Sequence, residues 1–113
     1  MRSAALAAAL ALCACGGDDD PTPPAERNGD PGFAVFAAQG CGSCHAFTPA
    51  GSTGQVGPKL NGLRDERYVR ESIVAPNTKV AGGESSLMPE DYARRLSRKE
   101  LDDLVAFIAR PAR

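Results

Sequence analysis

Five consecutive residues, Cys41-Gly42-Ser43-Cys44-His45, carry the chemistry of this chain. Two cysteines three positions apart, followed at once by a histidine, make the C-x-x-C-H pattern of covalent c-type haem attachment. The spacing turns both sulfurs to one side, where each can add to a vinyl group of the same porphyrin. The adjacent imidazole then stands as the proximal iron ligand. Gly42 and Ser43 are small enough to let the backbone lie against the ring edge. Other chemistries of these residues need company the chain does not supply. A thioredoxin-like dithiol needs a strand–helix–strand context, and no segment alternates convincingly as a strand. A structural zinc site takes four ligands, whereas from residue 30 onward only Cys41, Cys44 and His45 are offered. A Cys41–Cys44 disulfide would leave the histidine without a task.

The supply of a second axial ligand is equally restricted. The chain has one His and two Met, one of them Met1. A sixth ligand of the usual kind must therefore be Met88, 43 positions after His45, in Leu87-Met88-Pro89. Its soft thioether favours ferrous iron and raises the reduction potential relative to a second imidazole. Pro89 stiffens the backbone beside it.

Three helices should position these residues. Asp30-Pro31 couples a capping side chain to Pro at the first helical position; Phe33, Phe36 and Ala37 then share a face and Gly40 is a stop. A second helix begins at Asp65, with Val69 and Ile73 on one side together with Tyr68 or Ser72, and ends at Pro76. Ser97-Arg98-Lys99-Glu100 reads as a capping box, and Leu101, Leu104, Val105 and Ile108 keep helical spacing before Pro111. Between them run Gly- and Pro-rich stretches at 46–62 and 76–96. Loops that long inside a small domain enclose something. Composition agrees: of 113 residues 5% are aromatic, none is Trp, and Gly and Pro number 12 and 9. Such a chain is short of core and needs a staple. A net charge of −1 argues against a nucleic-acid binder.

The N-terminal residues read as an address. Arg2, then an uncharged Ala/Leu run from Ala4 to Leu12 and small residues, follow the plan of an export signal. The run is about half the roughly 20 residues a membrane span needs. Leu12-Cys13-Ala14-Cys15 resembles a bacterial lipobox, which implies a lipoprotein signal at 1–14 and a lipid-bearing Cys15. Residues 15–29, dominated by Gly, Asp and Pro, then form a flexible linker to a domain at 30–113. Four cysteines in a short chain invite two disulfides. Here Cys13 is assigned to the discarded signal, Cys15 to lipid and Cys41 and Cys44 to haem, which leaves no disulfide.

From about Asp30 to Arg110 the order of CGSCH, Gly57-Pro58-Lys59-Leu60, Met88-Pro89 and an amphipathic last helix resembles a class I cytochrome c domain. YVRESIVAP (Tyr68 to Pro76), LMP and LSRKELDDLVAFI look especially like the cytochrome c domain fused to subunit II of caa3-type oxidases. The resemblance implies an all-α cytochrome c fold of three to four short helices with loops wrapped around one covalently bound haem c. It implies crossed terminal helices, with Gly40 and Phe36 meeting the Leu101–Phe107 face. It also implies that the Pro58 carbonyl accepts a hydrogen bond from the proximal His45 and orients it. One departure stands out: with one His, the chain cannot build the copper centre of that subunit.

The expectation is thus a monomeric, non-enzymatic electron carrier, exported in a bacterium and held by lipid at a periplasmic or outer membrane face. Its partners would be a quinol-oxidising complex or another donor, and a terminal oxidase as acceptor. Lys59, Arg64, Arg67, Lys79, Arg94, Arg95, Arg98 and Lys99 are candidates for docking or for neutralising haem propionates. The alternatives are a haem enzyme or gas or redox sensor with a displaceable sixth ligand, and a fixed electron-entry subunit of an oxidase or dehydrogenase complex.

Overall fold

In a computed structural model the described residues are 29–79 and 87–111. The expected signal at 1–14, the lipidated Cys15 and all of the linker except Gly29 lie outside them. Among the described residues are four α-helices: α1 Pro31–Ala38, α2 Glu66–Val74, α3 Tyr92–Arg95 and α4 Arg98–Ile108. The three longer helices start where local chemistry dictates. The Asp30 carboxylate accepts from the N–H groups of Gly32 at 2.8 Å and Phe33 at 3.3 Å, two donors with no partner inside the helix. Asp65 does the same for Arg67 at 3.0 Å and Tyr68 at 3.2 Å. At α4 the capping box closes in both directions, Glu100 N–H to Ser97 Oγ at 3.1 Å and Ser97 N–H to Glu100 at 2.8 Å.

Helices α1 and α4 pack against each other, and Gly32 lets them touch. A Cβ built there would lie 2.2 Å from the Asp103 carbonyl oxygen and 2.4 Å from Phe107 Cβ. The expected contact residue, Gly40, is not at the crossing. It turns the chain out of α1 with φ +69°, a left-handed conformation that glycine adopts without penalty, and its nearest neighbour would be Ser43. Periodicity gives a helix its apolar face; which small residue lies at the crossing depends on the tilt of two helices about each other.

All four phenylalanines gather at this crossing. Phe107 stands edge-on to Phe33, Phe36 and Phe47, with ring centroids 5.9, 5.8 and 5.3 Å apart, an arrangement rings favour. Asp30 also pairs with Arg110, which lies over the Phe107 ring at 5.1 Å, so the start of α1 is tied to the end of α4. Helix α2 is braced on α4 by Arg70–Asp102 at 2.7 Å, an exposed pair worth about 0–1 kcal/mol.

The loop expected over 46–62 has more order than its composition implies. Ala46–Phe47 (β1) pairs antiparallel with Ser52–Thr53 (β2), in register Ala46 to Thr53 and Phe47 to Ser52. Two-residue strands are too short for alternation to show in a sequence, so this hairpin was not legible as strand. Within 76–96, α3 supplies one helical turn. The architecture is nonetheless helical, and no helix among the described residues is long and apolar enough to cross a membrane.

Candidate functional site

The residues after Gly40 form a single tight turn, with Ser43 N–H on Gly40 O at 3.1 Å, Cys44 N–H on Cys41 O at 3.2 Å and His45 N–H on Cys41 O at 3.0 Å. One turn thus presents Cys41, Cys44 and His45 together. The 46–62 stretch is folded back over it as a strap. Gly57 N–H donates to Cys44 O at 2.7 Å, Leu60 N–H to Ala46 O at 2.9 Å, and Ser52 Oγ to His45 O at 2.8 Å.

The strap sets the imidazole. His45 Nδ1 lies 2.7 Å from the Pro58 carbonyl oxygen. A carbonyl can only accept, so Nδ1 carries a proton, and in the neutral ring Nε2 then keeps the lone pair, the form in which imidazole binds a metal. The Gly57 backbone lies flat against the same ring: a Cβ there would meet His45 Cε1 at 2.5 Å and Nδ1 at 2.8 Å. Pro58 orients one edge of the imidazole, and Gly57 limits its rotation.

Cys41, Cys44, His45, Pro58 and Met88 all line one cavity of about 430 Å³. The rest of its wall is mostly aliphatic, including Val56, Leu60, Leu63, Val69, Ile73 and Ile108. Met88 comes from a segment far along the chain and is partly buried against the core. It shares a smaller void with Cys41, His45 and Tyr92. Cys41 and Cys44 are not joined in a disulfide. Burial pushes the Cys41 thiol up to about 11, opposed by a backbone hydrogen bond and reinforced by Cys44. Three or more His, Cys, Asp or Glu side chains placed to hold a bare metal ion occur nowhere among the described residues.

Tyr92 is the site residue that sequence reasoning missed. It is buried, lines the cavity, and its hydroxyl pKa is raised, chiefly by burial and next by the nearby Cys41. A lone Tyr in a charged stretch, EDYARR, gives no periodic signal; only the fold turns it inward. Tyr68 and Ser72, on one side of α2 with Ile73, also reach the cavity. The expected cations separate into two groups. Arg95 bonds Asp91 at 2.9 Å and Lys99 bonds Asp103 at 2.6 Å, so these two are paired within the molecule. Lys59, Arg64, Arg67, Arg94 and Arg98 are exposed.

An aliphatic cavity with two thiols and an oriented imidazole on its wall, in a domain of four short helices, defines the class: a small cytochrome c fold. The chain belongs to the family described as cytochrome C oxidase, cbb3-type, subunit III, whose model matches residues 27–108. No curated protein and no solved structure matches the chain. Cytochrome c domains bind covalently attached haem c, and this one does so. The donor set of the cavity fits that group: thiols for attachment, a lone pair on Nε2, and an apolar wall for a porphyrin face. The family supports a haem electron-transfer role.

Proposed function

We propose that this protein is a mono-haem electron carrier, held at an extracytoplasmic membrane face by lipid on Cys15, that delivers single electrons to a terminal oxidase. Haem c, when bound, supplies a one-electron ferric/ferrous couple. In this reading Cys41 and Cys44 hold it by thioether bonds, His45 is the proximal ligand and Met88 the distal one. Pro58 fixes the His45 tautomer and strengthens its donor nitrogen, the task of an outer partner at a metal site. The aliphatic wall keeps water from the ligands and favours the less charged state.

The observation that carries this reading is the shared cavity. His45, with its Nδ1 already spent on Pro58, and Met88, 43 residues later, border the same aliphatic space. The test is an absorbance titration of the purified holoprotein beside Met88→Ala. A reversible one-electron wave is expected, with the potential of Met88→Ala lowered and its ferric spectrum changed. An unchanged spectrum and potential would remove Met88 as ligand. Absence of haem stain on a denaturing gel would remove covalent attachment.

The oxidase partner rests on family membership and on the likeness of YVRESIVAP and LMP to the caa3-type module. Both point to a haem domain that feeds a haem–copper oxidase. The family also favours a second reading, a subunit held permanently in one oxidase. Co-purification from detergent-solubilised membranes separates the two: a mobile carrier leaves the complex, a subunit stays. Retention of Cys15→Ser in the membrane fraction would refute the lipid tether.

A further inference from the structure

The segment that bears Met88 has no regular structure of its own until Tyr92. Residues 87–91 are bends and coil, and Leu87, Pro89 and Glu90 are exposed. The short helix α3 that comes next buries Tyr92 and is tied on its outer side by Arg95. Arg95, on α3, donates from Nε to Asp91 at 2.9 Å and lies over the Tyr92 ring, 4.9 Å from its centroid. It also reaches across the molecule: its Nη1 donates to Gln39 Oε1 at 3.5 Å. Gln39 closes α1 just before Gly40 and Cys41. A single guanidinium therefore bridges the approach to Met88 and the approach to C-x-x-C-H. The planar fork can lie over a ring and bond through its edge at the same time, a geometry better suited to this double contact than a lysine ammonium.

We infer that Arg95, acting with Asp91 and Tyr92, is a latch that sets how often Met88 leaves the sixth position, and so how readily a small neutral donor replaces it. The inference rests on the axial assignment of Met88 proposed above. Tyr92 is the inner half: it is buried and lines the same small void as Met88 and Cys41, so its ring bounds the space beside the Met88 side chain. Arg95 is the outer half, holding Tyr92 in from the solvent side. The exchange swaps one neutral donor for another and leaves the oxidation state of the iron unchanged. Arg95 touches neither ligand nor cofactor, so it is a positioning residue.

The probe is imidazole added to the ferric holoprotein. At high imidazole the observed rate levels off at the rate at which Met88 departs. At the lower end of their usual strengths, a cation–π contact and an exposed ion pair together correspond to about a three- to fivefold change in that rate. Arg95→Met keeps the aliphatic stem but removes the stack and both bonds, and should raise the plateau about three- to fivefold. Asp91→Asn should raise it less. Arg98→Met, an exposed cation on the next helix, should leave it unchanged. Since Arg95 is at the surface, its loss does not empty the core, and the thermal midpoint confirms folding in each variant. An Arg95→Met plateau equal to wild type overturns the latch. A wild-type ferric protein without the long-wavelength absorption of iron–thioether coordination refutes the Met88 assignment, and the latch with it.

Discussion

Replacing Gly57 by Ala puts the orientation of His45 to a direct test. The added Cβ would sit 2.5 Å from Cε1, and an ordinary contact begins near 3.4 Å, so about 0.9 Å must be made up. The backbone cannot retreat easily, because Gly57 N–H is bonded to Cys44 O at 2.7 Å. The imidazole has to move instead. A ring displaced that far loses good geometry with the Pro58 oxygen, now 2.7 Å from Nδ1. That hydrogen bond makes the imidazole a stronger donor and so favours the ferric state. If it contributes about 1 kcal/mol more to ferric than to ferrous protein, the potential should rise by about 40 mV, given 59 mV for a tenfold change with one electron. Spectroelectrochemical titration of the holoprotein measures this. Gly29→Ala is the control, since nothing lies within 4 Å of a Cβ there. A Gly57→Ala holoprotein whose potential equals that of wild type would refute the argument that this contact orients His45.

Other contacts give further expected outcomes. Gly32→Ala forces backbone apart at the α1–α4 crossing, where the Cβ would lie 2.2 Å from Asp103 O; thermal unfolding should show a loss of about 1–3 kcal/mol, and an unchanged midpoint would mean the helices do not touch there. Asp91 is held below its ordinary 3.8, first by the Arg95 hydrogen bond. Its stabilisation is therefore present above pH 3.8 and lost as pH falls through the lowered value. In acid titrations, wild type and Asp91→Asn should differ by a constant amount above that range and converge below it. Convergence already at neutral pH would show that the pair contributes nothing. Asp30→Ala removes an N-cap and the partner of Arg110 together, and should lower stability by more than the ~1 kcal/mol of a cap alone.

Much of the fold was legible because it is local. Caps at Asp30, Asp65 and Ser97 sit within three residues of the groups they satisfy, and the 3.6-residue spacing of Leu101, Leu104, Val105 and Ile108 marks the buried face of α4. The hairpin escaped because it has two residues a side. The assignment of Gly40 to the helix crossing failed because the sequence shows small residues at both ends of α1, and only the packing angle selects Gly32.

The candidate site divides in the same way. Spacing alone makes Cys41, Cys44 and His45 one chemical unit, and counting alone leaves Met88 as the candidate second ligand, because these are statements about residue types along a chain. No count could say that Tyr92 turns inward, that Arg95 spends its charge on Asp91, Tyr92 and Gln39, or that Gly57 lies against the imidazole face. Those depend on which surfaces meet when the strap and the Met88 segment close around one cavity. Residue types and their spacing were enough to name the candidate donors and the cofactor the family takes. How each donor is held was settled by folding, since orientation comes from contacts between segments that lie far apart along the chain.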